Sequence, residues 1–333
     1  MPLWNRSAPP PGGRGPDRAR QQASIDALEA GQLPLEAQER LRRQAEHEAP
    51  WTSTLTAADF LEAKSLGLTP LGQVMGAATV HPGFNSQWLY GAWQNGDVRP
   101  LSRAFTQARD TAVERLRMEA EALGAHGVVG VIMRVTRPDW GGALLEFTAM
   151  GTAVRLDTPT SPRQIFLGTL SALDAGRLLA VGYIPMDLVY ATTAYYVMTT
   201  WGAEWAEGSW SNQEIPEFSQ AVYQARDFVV AGMREQARSV SADGVLGAEW
   251  SMEVEEIEVE RPTVGSYGGQ GYSMGGYGMA GYGGMGGASS HRDHIIHLTV
   301  MGTAVGQLAG HSAAPRVLPV LSVRDTTKGV IAP

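Results

Sequence analysis

The residues best equipped for chemistry lie near the end of the chain, in His291-x-x-His294-x-x-His297 with Asp293 beside them. Upstream, Glu253, Glu255, Glu256, Glu258 and Glu260 crowd into one short stretch. Imidazole nitrogens and carboxylate oxygens at this density suit a borderline or hard divalent ion. The spacing limits them. Side chains on a strand alternate between faces, so His291 and His297 share one side and His294 takes the other. Three histidines therefore cannot meet one ion from a regular strand. Two of them, with Glu256 or Glu258 from a facing strand, could. The competing reading is a solvated hairpin whose charges balance across strands.

Other chemistry is thinly supplied. With no cysteine, thiolate nucleophiles, disulfides and Cys-ligated metals are excluded. Ser, His and Asp occur, but not in the setting of a nucleophile elbow. The glycine-rich stretch does not follow a strand and open a helix, as a phosphate loop would. Arg109 and Arg226 stand near helix starts, where they could hold an anion. The favoured reading is that each pairs with Asp110, Asp227 or a neighbouring subunit, as most arginines in such helices do. No catalytic residue is expected, and the chain reads as a non-enzyme.

The elements that must position these groups come from an internal repeat. Ala-x-x-Gln-Ala-Arg-Asp opens residues 104–131 and again residues 221–248, at an offset of 221 − 104 = 117. Met-Gly-Thr-Ala-Val recurs at residues 150–154 and 301–305. The chain is a tandem duplication of one module. Each copy opens on a polar cap, Thr56 with Asp59 and Ser171 with Asp174, then a strand carrying Pro70 or Pro185. The repeated cap and proline suggest one turn built twice. A long helix follows. In the first copy Phe105, Ala108, Ala112, Leu116, Ala120 and Leu123 form one apolar stripe. Its opposite face carries Arg115 with Glu119 and Arg117 with Glu121, at i,i+4 spacing. A single stripe means a helix laid on one face of a sheet. A hairpin ends each module.

The fold class is therefore α+β: two tandem β-α-β-β modules, each a small antiparallel sheet under one long helix. Residues 1–22 form a disordered tail and residues 23–48 a short helical arm. Module 1 spans residues 51–157 and module 2 residues 163–308, with a Gly/Tyr/Met-rich hairpin insertion at residues 263–290. Residues 309–333 are a tail, in which residues 316–325 alternate like one more strand. The insertion spaces Tyr267, Tyr272, Tyr277 and Tyr282 five apart. Glycine this dense is costly to order, so a mobile tip is expected, able to hold a protein partner through its tyrosines. Trp88, Trp93, Trp201 and Trp205, with Trp210, crowd the strand-to-helix connections. They read as edges of their own cores, as a subunit interface, or as a ligand shelf.

Formal charge is −8, from 26 basic and 34 acidic residues, which argues against nucleic acid as the main partner. No apolar run reaches the ~20 residues needed to span a bilayer. The start lacks the apolar core of a secretory signal, so a cytoplasmic protein is expected. One helix per sheet leaves the sheet's second face uncovered, which calls for oligomerisation.

The strand, the A-R-D helix, the turn at residues 125–130 and the Gly-Thr-Ala-Val hairpin end together resemble the YbjQ-like family, often labelled heavy-metal-binding. The resemblance covers both halves of the chain. Its most specific pieces are Ala108-Arg109, residues 125–130 and 151–154, with Ala225-Arg226 and residues 242–247 and 302–305 as the second set. It implies small α+β modules like dodecin subunits that assemble into pentameric rings, and it implies no settled activity. The chain departs from the pattern at His126 and Asp243, where family members commonly carry Asn. The expected function is a non-enzymatic, ring-forming scaffold or binding protein, a homopentamer whose ten modules stack as two rings and whose tips face a partner. The first alternative is a metal-binding protein using His291, His294, His297, Glu256 and Glu258. The second is a small-ligand binder at the Trp-rich module interfaces. Apart from such a divalent metal, no cofactor is expected.

Overall fold

The computed structural model describes residues 18–46, 48, 50–82, 94–136, 144–157, 164–199, 214–262 and 288–308. Trp88, Trp93, Trp201, Trp205, Trp210, the tyrosines at 267, 272, 277 and 282, and the candidate strand at 316–325 lie outside them.

The architecture is α+β. The arm is a helical hairpin, α1 (Arg18–Glu29) and α2 (Leu35–Ala45), and its first helix starts inside the stretch expected to be tail, at Arg18 rather than residue 23. Module 1 contains α3 (Ala57–Ser65), β1 (Leu68–Val80), β2 (Gly96–Asp97), α4 (Arg99–Ala122), β3 (Gly127–Thr136) and β4 (Leu145–Leu156). Between modules runs β5 (Phe166–Leu167). Module 2 contains α5 (Ala172–Ala180), β6 (Tyr183–Val197), α6 (Pro216–Ser239), β7 (Gly244–Pro262) and β8 (Ala288–Gln307). The sheets order as β1-β4-β3-β5 and β2-β6-β8-β7. All pairs are antiparallel except β3 with β5.

Local chemistry sets the boundaries. Thr56 and Asp59 form a reciprocal capping box at α3, and Ser171 accepts from the Asp174 N–H at α5. Gly67 and Gly182 follow these helices at φ +79° and +83°, left-handed stops that Cβ-bearing residues resist. The repeated prolines do not build a turn. Pro70 and Pro185 lie inside β1 and β6, where the ladder register shifts. A residue without an N–H fits where the ladder is already broken. A second matched pair of bulges sits between Val129 and Ile132 and between Leu246 and Glu249, with Gly130 and Gly247 at φ +60° and +59°.

The expectation that α4 covers one sheet is corrected. Its stripe packs on β1, β3 and β4, but Leu101, Arg109 and Val113, outside the stripe, are buried as well. They meet Tyr190, Tyr196, Ile295 and Met301 on the outer face of the second sheet, so α4 is shared by both. The inner face of that sheet is covered by α6. The helix-surface ion pairs expected on α4 give way to ties across elements. Arg115 donates to the Ala77 carbonyl and Glu119 accepts from Arg40 of α2 and from the Met75 N–H. Arg117 donates to Asp187 Oδ1 at 2.9 Å and Oδ2 at 3.1 Å. A helix with two packed faces leaves few charges free to pair along its own length.

Candidate functional site

The histidine hairpin is built by β7 and β8. Its alternation follows the strand rule. The His297 ring stacks on Phe105 of α4, with centroids 5.1 Å apart at 24°. The His294 ring meets Phe218 of α6 edge-on at 4.8 Å. These two therefore face opposite helices. His297 Nε2 lies 2.8 Å from Glu255 Oε2, and its Nδ1 is buried without a hydrogen-bond partner among the described residues. Glu256 lies 3.6 Å from Arg292, and Glu258 accepts from Ser290. Among the described residues no group of three His, Cys, Asp or Glu side chains stands where it could hold a metal ion. The structure sets His297 and His294 on opposite faces of β8, and on the strand ladder Glu256 lies directly across from His294.

Between His291 and His297 the sheet buries Asp293 completely. Its Oδ2 is ion-paired with Arg261 and accepts from the Tyr196 hydroxyl at 2.5 Å, while Oδ1 accepts from the Thr199 N–H at 2.9 Å. Burial, then the bond to Asp293, pushes the Tyr196 phenol up to about 12. This network pins the base of the long hairpin. Both Asp293 oxygens are paired, as a buried charge requires, while Arg261 Nε has no partner among the described residues.

Arg109 is also fully buried, at the boundary between modules. Its guanidinium lies 5.8 Å from the Phe147 ring and 5.5 Å from the Tyr190 ring. Nη2 donates to Thr299 Oγ1 and Nε to Met133 Sδ, both at 3.1 Å, and Nη1 has no partner among the described residues. Burial pulls it down to about 10. Asp110, offered by the sequence as its partner, instead accepts from the Tyr190 hydroxyl. Arg226, at the matched position of α6, is exposed over Trp250 at 5.9 Å.

The modules also join along an edge. Residues 166–170 run beside β3, with Gly168 N–H donating to Val128 O at 3.0 Å, Val131 N–H to Gly168 O at 2.9 Å and Gly130 N–H to Leu170 O at 2.7 Å. Phe166 buries its ring with Leu68, Val129 and Val154 of module 1 and with Ala172 and Ala175 of module 2. On the other side the Thr169 N–H donates to Thr303 Oγ1 at 2.8 Å. The arrangement does one thing well: it welds a module to the next one along.

The family model described as "Putative heavy-metal-binding" matches residues 88–157. A relative named Encapsulin nanocompartment protein Rv1762c, from Mycobacterium tuberculosis, is 31% identical over 230 residues, 68% of this chain and 86% of its own length. The chain belongs to the YbjQ-like family. Shorter YbjQ-like matches are UPF0145 proteins from Thermoplasma acidophilum, 37% identical over 65 residues, and Halorubrum lacusprofundi, 44% over 61. They align over 20% and 18% of this chain and over 53% and 57% of their own lengths. Against these, the chain spans about half the length of the relatives it matches. The two departures from the family pattern share a role. His126 Nδ1 accepts from the Leu156 N–H at 3.2 Å, and Asp243 Oδ2 from the Gln307 N–H at 2.7 Å, at matched ends of β4 and β8. No helix among the described residues is long and apolar enough to cross a membrane.

Sequence reasoning missed the ties between modules: β2 on β6, Asp110 with Tyr190, and Arg117 with Asp187. No periodicity announces them. The available signal was asymmetry at matched positions, such as Asp187 facing no charged counterpart at Gly72.

Proposed function

We propose that this protein is a non-enzymatic scaffold or binding protein that assembles with itself, five chains to a ring, and presents its Gly/Tyr/Met-rich hairpins to a protein partner. The observation that carries the reading is apolar surface left exposed on both modules. Trp51 and Met75 are exposed in module 1, and Tyr223, Phe228, Leu246 and Trp250 in module 2. Patches of this kind mark interfaces. The relative's name carries the words encapsulin nanocompartment, which supports a role in a protein assembly. Arg261 and Asp293 pair on β7 and β8, the two strands that lead into the insertion. Light scattering of the purified protein should give a mass near five times 35.7 kDa. A monodisperse single chain at micromolar concentration contradicts the reading.

A further inference from the structure

The join between modules 1 and 2 has two unused halves elsewhere on the chain. The segment that precedes module 2, at Phe166, is matched before module 1 by Trp51, since 166 − 51 = 115. The strand it joins, β3 from Gly127, is matched by β7 from Gly244, since 244 − 127 = 117. Each counterpart is more exposed than its twin, with Trp51 covered on one side by the Phe60 ring at 5.3 Å. Phe166 is 6% exposed and Trp51 is 50% exposed; Val129 is 1% exposed and its twin Leu246 is 42% exposed. Tyr190, which covers Arg109, is 8% exposed, while its twin Met75 is 43% exposed.

The glycines make the same point. A Cβ on Gly127 would lie 2.1 Å from the Phe166 ring, so glycine is what admits that ring. A Cβ on Gly244 would meet nothing within 4 Å among the described residues. The cradle is present and the aromatic is absent. The order β2-β6-β8-β7 leaves β7 at the margin of its sheet, and among the described residues no strand pairs with its outer side. A strand edge of this kind invites another chain.

We propose that residues 51–55 of a second copy add to the outer edge of β7 as a parallel strand, with Trp51 seated on Gly244 and Leu246. The contact repeats the join of residues 166–170 to β3. It rests on the self-assembly reading and names the surface that performs it. Such a contact is heterologous, head to tail, and closes into a ring when its rotation divides the circle. Each chain then fills two successive positions of one ring, in place of one position in each of two stacked rings. A rival occupant is the chain's own tail, where Leu321-Ser322-x-x-Asp325 repeats Leu170-Ser171-x-x-Asp174. The second copy is favoured because the tail would leave Trp51 and Met75 uncovered.

Two variants test it, with mass by light scattering and cross-linking in a chain that has no native cysteine. Gly244→Val has room for its Cβ within the chain, so its circular-dichroism spectrum should match wild type while its mass falls to the single-chain 35.7 kDa. Thr52→Cys with Val245→Cys matches the registered pair Leu167 and Val128, and on oxidation should give a ladder of covalent multiples that neither single variant gives. If wild type assembles but Gly244→Val keeps its mass and the double variant stays a single chain on a non-reducing gel, this interface is overturned while assembly stands. A wild-type single chain overturns both. A Leu318→Cys cross-link to Val245→Cys within one chain would give the edge to the tail instead.

Discussion

Arg109 of module 1 donates to Thr299 Oγ1 of module 2 at 3.1 Å, across 190 residues of sequence. The bond shows where the fold places its strongest polar residue: between the two sheets, against two aromatic rings, where water is excluded. An arginine so placed anchors the seam more by its planar bulk than by a partner charge.

Arg109→Ala should therefore destabilise the protein by about 2–5 kcal/mol through the cavity it opens. Arg109→Met, which fills much of the space without a charge to desolvate, should cost clearly less. Urea unfolding of both variants decides it. Equal losses would mean that the hydrogen bond to Thr299, not packing, holds the seam.

Asp293→Ala leaves Arg261 buried and unpaired. A loss of about 3–5 kcal/mol is expected. Adding Arg261→Met to that variant should recover part of it, because the orphaned charge goes with it. A double-mutant cycle with no coupling would show that the pair is idle.

Alkaline stability should report on Tyr196. Its folded pKa lies above the unfolded value near 10, so the folded state holds its proton longer. Its contribution is full below about pH 10 and is lost as pH rises through about 12. Tyr196→Phe should flatten that part of the stability profile relative to wild type. Asp293 and Arg261 are the charged groups facing the phenol. An unchanged slope between the two proteins would refute the assignment.

Close packing predicts an unequal glycine pair. A Cβ on Gly76 would fall 1.9 Å from the Ala112 carbonyl of α4, a backbone atom that cannot turn aside. Gly76→Ala should cost about 1–3 kcal/mol or more. In module 2 the roles are exchanged: Ala191 holds the matching strand position and Gly232 of α6 makes room for it, with a 3.1 Å contact. Gly232→Ala should change stability less. Thermal melts of the two variants rank them directly.

Zinc should leave the melting temperature unmoved at millimolar concentration, because His294 and His297 face opposite helices. A rise abolished by His294→Ala with His297→Ala would return the metal reading.

Some of this was open to inspection in the residues alone. The offsets of 115 and 117, the Thr56 and Ser171 caps, the stripe on α4 and the parity of His291, His294 and His297 are properties of neighbours in sequence. Helical and strand periods are short, so a single chain displays them without any fold being known. The contacts between modules were not open in the same way. Arg109 and Arg226 sit in the same heptapeptide, yet one is buried and the other exposed. Gly127 and Gly244 are alike in type and setting, yet one carries an aromatic ring and the other is bare. Duplication makes the copies read identically, and only the packing of one copy on the other breaks the equivalence. Which surface was consumed in that packing, and which is still open, is a fact of three dimensions.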